Sequence, residues 1–301
     1  MTTSWIAVDW GTSNLRAYAM EGTECRAEAE SDQGMGQLSR DAFEGALLHL
    51  IEPWLADGRT TPVIACGMVG SRQGWREAPY RAVPCAPTEA GELMEVPTLD
   101  PRIAVRIVPG LKQVTPADVM RGEETQIAGA MALMPGFDGV ICLPGTHSKW
   151  AQVSAGEAVS FQTYMTGELF SLLSRQSVLR HGLTGDGWDD DAFDNGVSEA
   201  LARPEKIGAR LFALRAEGLL ADLPPARARA RLSGLLIGLE LAGARPYWLG
   251  QQVAIIGAEA LSASYARALK AQGTPARLLS ARDTVLAGLT AAWRGTTERP
   301  V

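Results

Sequence analysis

The chain has 301 residues, 46% of them hydrophobic and 21% charged, with a formal net charge of −6 at neutral pH. That length holds two domains of ordinary size, and the composition is that of a globular chain rather than a disordered one. The acidic balance argues against a general nucleic-acid binder, but not against anionic small ligands, which depend on local cations. Four cysteines (Cys25, Cys66, Cys85, Cys142) show no C-x-x-C spacing, and three sit in or beside apolar strand runs. They are expected to be reduced core residues in a cytoplasmic protein. No basic segment followed by an apolar stretch opens the sequence, so no signal peptide is expected. The longest apolar helix candidate, Leu232 to Ala244, is short for a membrane span and carries Glu240.

In chain order, Trp5 to Val8 is a short apolar run suited to a buried strand, and Leu15 to Tyr18 alternates like a second. Between them D-W-G-T-S-N is a polar turn with one carboxylate, Asp9, at the strand's carboxyl end. Such a turn aims backbone N–H groups and small hydroxyls at one spot, which is one way to hold a phosphate without a P-loop. Asp9 would repel a phosphate unless a cation bridged them, and Mg²⁺ favours one or two carboxylates with phosphate oxygens and water. Taken alone, the turn is better explained as an ordinary hairpin. A third strand is expected over Cys25 to Glu30. Ser31 to Leu38 is then a glycine-rich loop, with Gly34 a candidate substrate contact, leading into a helix over Asp41 to Glu52.

Val63 to Gly67 is a strand running into glycine, followed by G-M-V-G-S-R-Q-G-W-R-E. Ser71, Arg72, Gln73 and Trp75 thus fall at a strand's carboxyl end, where open α/β sheets bind ligands. An arginine fork matches a carboxylate, so an acidic substrate is one explanation for Arg72. Ile103 to Val108 is a further strand. Asp118, Glu123 and Glu124 then stand at the head of a small-residue helix, Thr125 to Met134, where acids also suit the helix dipole. Pro135 and Gly136 break the chain, and the domain boundary is placed there: 1–135 and 136–301.

Val140 to Val153 reads V-I-C-L-P-G-T-H-S-K-W-A-Q-V. Sliding it back 134 positions sets Gly145 on Gly11 and Thr146 on Thr12. A third strand (Ala158 to Phe161), a helix (Gly167 to Leu179) and a strand running into glycine (Val253 to Gly257) repeat the earlier order. One β-β-β-α-β unit is therefore used twice, and internal repetition outweighs any single motif. His181 to Asn195 reads as a surface loop, and Glu199 to Ala244 as several helices. Thr274 to Leu279 is a last strand and Asp283 to Trp293 a last helix.

No G-x-x-x-x-G-K-[ST] is present, and I-I-G-A-E-A lacks the dinucleotide-binding spacing. The neighbours His147 and Ser148 have no G-x-S-x-G elbow to support a hydrolase. Two opposed hairpin turns, a third glycine turn and hinge acids point instead to phosphoryl transfer in a cleft between two domains. That chemistry needs pinned phosphates, a metal and a carboxylate acceptor for the hydroxyl proton.

D-W-G-T-S, L-P-G-T-H-S and I-I-G-A-E resemble the first phosphate, second phosphate and adenosine motifs of the actin-like superfamily. V-D-W-G-T-S-N-L-R, G-M-V-G-S-R-Q-G-W, D-V-M-R-G-E-E-T-Q and L-P-G-T-H-S-K-W are similar to the 2-dehydro-3-deoxygalactonokinase family. The resemblance implies an α/β fold of two ribonuclease H-like domains, each a mixed sheet with flanking helices, around a central cleft. It further implies ATP- and Mg²⁺-dependent phosphorylation of the C6 hydroxyl of 2-dehydro-3-deoxy-galactonate, with no nucleic-acid or membrane partner. Another sugar or sugar acid, or a non-kinase actin-like regulator, are the alternatives, and oligomeric state is open, a homodimer included.

Carried over by resemblance, Asp9 would organise the metal, while Gly11, Thr12 and Ser13 face the β/γ-phosphates. Gly145, Thr146 and His147 would form the opposing clamp, with Lys149 adding charge or else lying on an exposed strand face. Gly257 and Ala258 would admit the adenosine. The superfamily's usual catalytic aspartate is missing, so Glu123, then Glu124, then Asp118 are the general-base candidates. Arg72, with Ser71, Gln73 and Trp75, would hold the sugar acid.

Overall fold

The computed structural model describes residues 3–297. They form two compact units: one from the described parts of Met1–Phe137, Val153–Ser160 and Ser280–Val301, the other from Asp138–Gln152 and Phe161–Leu279. The chain leaves the first unit two residues beyond the Pro135–Gly136 break, and the 153–160 segment and the last helix return to it.

The first unit is built on a six-stranded sheet. Its order is Glu24–Ser31, Leu15–Glu21, Trp5–Trp10, Thr61–Gly67, Ile103–Ile107, Met94–Val96. Trp5–Trp10 pairs antiparallel with Leu15–Glu21 and parallel with Thr61–Gly67. This central strand is covered on both faces, which is why it reads as a continuous apolar run. Ile6, Val8 and Trp10 pack with Phe43 and Leu47 of the Phe43–Ile51 helix on one side. Trp5 and Ala7 pack with Val285 and Leu289 of the Ala281–Thr297 helix on the other. Trp5 also stacks on Trp293, with ring centroids 5.0 Å apart. The edge strand Glu24–Ser31 alternates between exposed and half-buried residues, as a strand wet on one face does.

Two helices of this unit, Glu123–Leu133 and Ala281–Thr297, cross with backbone against backbone. A Cβ on Gly129 would overlap the Thr284 carbonyl, and one on Gly288 would overlap the Thr125 carbonyl. Only glycine at both positions permits this approach.

The sheet to which the second unit contributes all but residues 153–160 and Ser280 has the order Glu157–Tyr164, Ser148–Ser154, Gly139–Leu143, Val253–Gly257, Ala276–Ser280. Val140 registers with Val253 in the parallel central pair. Third-second-first-fourth is the order of the first sheet again, so each unit is ribonuclease H-like and the fold is α/β throughout. The Thr166–Arg175 helix follows the third strand. Helices Asp190–Ala202, Ile207–Leu220 and Pro225–Gly243 then precede the fourth.

The loop expected over His181 to Asn195 is helical from Asp190 onward. Asp189 is its N-cap, accepting a hydrogen bond from the Ala192 N–H at 2.8 Å. Asp190 and Asp194 pair with Arg267 at 2.8 and 2.6 Å. The aspartate run therefore starts a helix and ties it down.

If the crossing of Glu123–Leu133 with Ala281–Thr297 depends on those two glycines, Gly129→Ala and Gly288→Ala should each cost about 3 kcal/mol through overpacking. Gly218 lies in the Ile207–Leu220 helix, and a Cβ added there would meet nothing within 4 Å outside the helix's own neighbouring backbone. Gly218→Ala should gain up to about 1 kcal/mol from helix propensity. Thermal unfolding of the three variants checks the contrast.

Candidate active site

The first turn follows Asp9, whose strand position registers with Cys66. The Gly11 N–H donates to the Asn14 carbonyl at 2.9 Å, closing the turn, and Thr12 and Ser13 are left exposed. The loop after the third strand presses on it from behind. Met35 N–H donates to Gly11 O at 3.0 Å and Gly36 N–H to Thr12 O at 2.9 Å. A side chain on Gly34 would overlap the Thr12–Asn14 backbone, so Gly34 braces the turn. Asp9 Oδ2 lies 3.7 Å from Arg16 Nη1. Burial pushes the Asp9 pKa up, and the Arg16 charge opposes that shift. A cavity of about 600 Å³ opens here, lined by Asp9, Arg16, Tyr18, Gln126 and Arg282 among others.

The second turn repeats the arrangement. Thr146 and His147 are exposed. Glu168 N–H donates to Thr146 O at 2.9 Å, and a side chain on Gly167 would overlap the Gly145 carbonyl. His147 Nε2 lies 2.6 Å from Glu168 Oε2. Lys149 is buried, which removes the exposed-face alternative for it. Behind the turn Glu240 is buried, accepting from Trp150 Nε1 at 2.8 Å and Tyr265 Oη at 2.7 Å. Ser148 Oγ is 3.0 Å from the same Tyr265 oxygen. Burial pushes the Glu240 pKa up, against the hydrogen bonds it accepts.

A cavity of about 400 Å³ joins this turn to an apolar wall. Gly145 and Thr146 line it together with Phe170, Trp188, Leu236, Ile237, Leu261 and Tyr265. Gly257 and Ala258 are not among its lining residues. A Cβ at Gly257 would come within 3.0 Å of the Pro144 carbonyl, so its bareness serves the second turn. The helix that follows, Glu259–Ala271, supplies the wall through Ala260, Leu261, Ser264 and Tyr265.

The three acid candidates part company. Asp118 is not at a helix head: it starts the short strand Asp118–Met120, in a three-stranded sheet with Tyr80–Ala82 and Gly110–Gln113. Glu123 and Glu124 open the Glu123–Leu133 helix. Glu123 Oε2 accepts from Arg121 N–H at 3.0 Å and remains half-exposed. Glu124 is fully buried, with Oε2 accepting from Gly122 N–H at 2.7 Å and Oε1 from Thr125 Oγ1 at 3.2 Å. Burial, then the Glu123 charge, push the Glu124 pKa to about 8.

Of the expected sugar-acid residues, Arg72 and Gln73 are exposed, and the Arg72 carbonyl accepts from Arg40 Nη2 at 2.7 Å. Trp75 packs inward, 6.1 Å from Trp10 and 6.3 Å from Phe43 between ring centroids. Ser71 is buried with its hydroxyl unpartnered.

Comparison with known proteins gives this geometry a family. Residues 9–292 match the family model described as 2-keto-3-deoxy-galactonokinase. The chain belongs to that family. It is 40% identical over 304 residues, 98% of each chain, to a Rhizobium meliloti (strain 1021) protein named "Probable 2-dehydro-3-deoxygalactonokinase DgoK1". It is 36% identical to the 2-dehydro-3-deoxygalactonokinase of Escherichia coli (strain K12), covering 96% of this chain and 97% of that one. It is also similar to the crystal structure of a Sinorhizobium meliloti protein described as "a putative 2-dehydro-3-deoxygalactonokinase". There the TM-score is 0.92 and the identity 38%, over 98% of this chain and 100% of that one.

Sequence reasoning passed over Arg16, Gln126 and Arg282 of the first-turn cavity, and Arg121 beside the helix head. Arg16 stands seven residues after Asp9 on the antiparallel partner strand, and the Asp9↔Arg16 register follows once the turn length is known. Arg282 is brought in by the last helix, 254 positions in sequence from its partner Glu28, and no local pattern announces it.

A carboxyl that titrates near pH 8 when folded and near its ordinary value when unfolded keeps its proton only in the native state between those limits. Stability then falls as pH rises through that window and levels off above it, by at most about 1.4 kcal/mol per pH unit. Glu124→Gln should abolish this slope. Thermal unfolding from pH 5 to 9 should show the variant gaining on the parent up to about pH 8.

Proposed function

We propose that this chain is an ATP-dependent kinase that phosphorylates the C6 hydroxyl of 2-dehydro-3-deoxy-D-galactonate, acting in the cytoplasm. The observation that carries the reading is the second unit's cavity. It joins an apolar wall to the Gly145–Thr146 turn within about 400 Å³, a volume suited to a small ligand such as a nucleoside. Phe170, Trp188 and Leu261 offer flat and aliphatic surface to a base, while the turn's N–H groups and hydroxyl suit phosphate oxygens.

In the first unit Gly11, Thr12 and Ser13 are proposed to contact phosphate, in the second Gly145, Thr146, His147 and Lys149. Bracing from behind keeps each small turn in its binding conformation before the nucleotide arrives, so little entropy is lost on binding. The His147–Glu168 pair holds the imidazole beside the turn. Among the described residues, no cluster of three or more His, Cys, Asp or Glu side chains could hold a metal alone. A single carboxylate at Asp9 fits Mg²⁺, which binds chiefly through phosphate oxygens and water. When bound, that ion offsets the phosphate charge.

Glu123 is the proposed acceptor for the C6 hydroxyl proton. It is half-exposed, whereas Glu124 is sealed and protonated near neutrality. A base must first be within reach of its proton, and only then does its pKa matter. The sugar acid is assigned to the turn beginning at Gly70, where Ser71 is buried and Arg72 and Gln73 are exposed.

The test is an ADP-release assay with Mg-ATP against the galacto substrate, its gluco epimer, galactonate and a neutral sugar. Strong preference for the first is expected, and turnover of neutral sugars alone would overturn the substrate. Glu123→Gln should lower kcat roughly a hundredfold or more with ATP affinity nearly unchanged. Ordinary turnover in that variant would remove Glu123 from the base role.

A further inference from the structure

We propose that Arg121, with Ser71, forms the anion subsite that takes the carboxylate of the sugar acid, an inference that rests on the kinase reading above. Arg121 is 9% exposed and Ser71 6%. The guanidinium lies over the Tyr80 ring, 4.3 Å from its centroid, and Nη2 donates to the Ala78 carbonyl at 2.8 Å. Those two contacts fix its plane. Its Nε and Nη1 are closed off from solvent and have no hydrogen-bond partner, and neither has the Ser71 hydroxyl.

Of these three orphaned polar atoms, Nη1 lies against Gly70 and the hydroxyl belongs to the next residue. A Cβ on Gly70 would sit 2.9 Å from Arg121 Nη1 and 2.8 Å from Ile107, so only a bare Cα lets this backbone pack so close to the cation. A guanidinium cannot shed its proton, and a buried one without a counter-charge is destabilising. Glu123 turns an oxygen onto the Arg121 N–H and Glu124 onto the Gly122 N–H. Glu124 also holds its proton near neutrality.

A carboxylate accepts hydrogen bonds and donates none, which matches donors on this cation and a hydroxyl free to donate. Arg121 lies two residues before Glu123, so one short segment carries both the anion anchor and the proposed base. Arg72, two positions into the covering turn, is exposed, already hydrated, and stands outside this subsite. Because the three orphaned atoms are closed off, ligand entry requires the backbone at Gly70 to move away from Arg121.

The experiment combines steady-state kinetics with calorimetric binding of 2-dehydro-3-deoxy-galactonate and of galactonate to the full-length protein and to Arg121→Met, Arg121→Lys, Ser71→Ala and Arg72→Ala. Losing a charge-assisted hydrogen bond should raise KM and the sugar-acid Kd in Arg121→Met about tenfold to a hundredfold, with ATP affinity within about twofold. Arg121→Lys should recover part of the loss, Ser71→Ala should cost about threefold to tenfold, and Arg72→Ala should cost less than Arg121→Met. Unliganded Arg121→Met should melt no lower than the parent, because an uncompensated buried charge has gone. A lower melting temperature with unchanged KM would make Arg121 a structural residue and overturn the subsite, while the kinase reading stands. Should Arg121→Met fail to fold, an unchanged KM in Ser71→Ala and Arg121→Lys overturns it equally. Sugar-acid binding that Arg121→Met abolishes, in a parent that phosphorylates no sugar acid, would keep the subsite and remove the kinase reading. Binding of neither acid would overturn both.

Discussion

In each unit a glycine that follows the third strand lies with its backbone directly against the backbone of the turn between the first two, Gly34 on Thr12–Asn14 and Gly167 on Gly145. One N–H from the same segment then donates to the equivalent threonine carbonyl, Gly36 to Thr12 and Glu168 to Thr146. A turn of glycine, threonine and serine has little side-chain packing of its own to hold it. The bracing supplies what the turn lacks, leaving its outward N–H groups and hydroxyls unspent and correctly aimed. Everything proposed for phosphate binding depends on this contact, and neither Gly34 nor Gly167 tolerates a Cβ in place of hydrogen.

Much of this was legible in the sequence. The central strands of both units are buried on both faces, so they read as continuous apolar runs, and the repeated G-T turn set the two copies in register. The three-stranded sheet of Tyr80–Ala82, Gly110–Gln113 and Asp118–Met120 was not legible. Strands of three or four residues are too short for a period to emerge, and Asp118 was consequently read as standing at the head of the helix that follows. The Asp189 cap was mistaken for loop because aspartate favours turns and helix starts alike. Arg121 was invisible for a different reason. Nothing local to D-V-M-R-G-E-E separates a solvated arginine from one laid over Tyr80, 41 positions away, and shut beneath Gly70.

The two units also share a habit of burying one acid close to the turn that works. Glu124 is satisfied by the backbone and a threonine, Glu240 by a tryptophan and a tyrosine. Both have raised pKa values, chiefly through desolvation. Neither reaches solvent, so each orders the side chains around it rather than meeting ligand. Glu240 holds Tyr265, which lines the second cavity, and Glu124 holds the N-terminal turn of the helix that presents Glu123.

The crossing of Gly129 with Thr284 joins the middle of the chain to its last helix, and this sets an order on biosynthesis. On the ribosome the strands of the first unit emerge early, yet the helix that covers Trp5, Tyr18 and Met20 is made last. Residues 161–279, which lie wholly in the second unit, are complete before that helix appears. The first unit must wait with one apolar face uncovered while the second closes, so the span during which this chain is open to aggregation is set by elongation rate rather than by either unit's own folding speed.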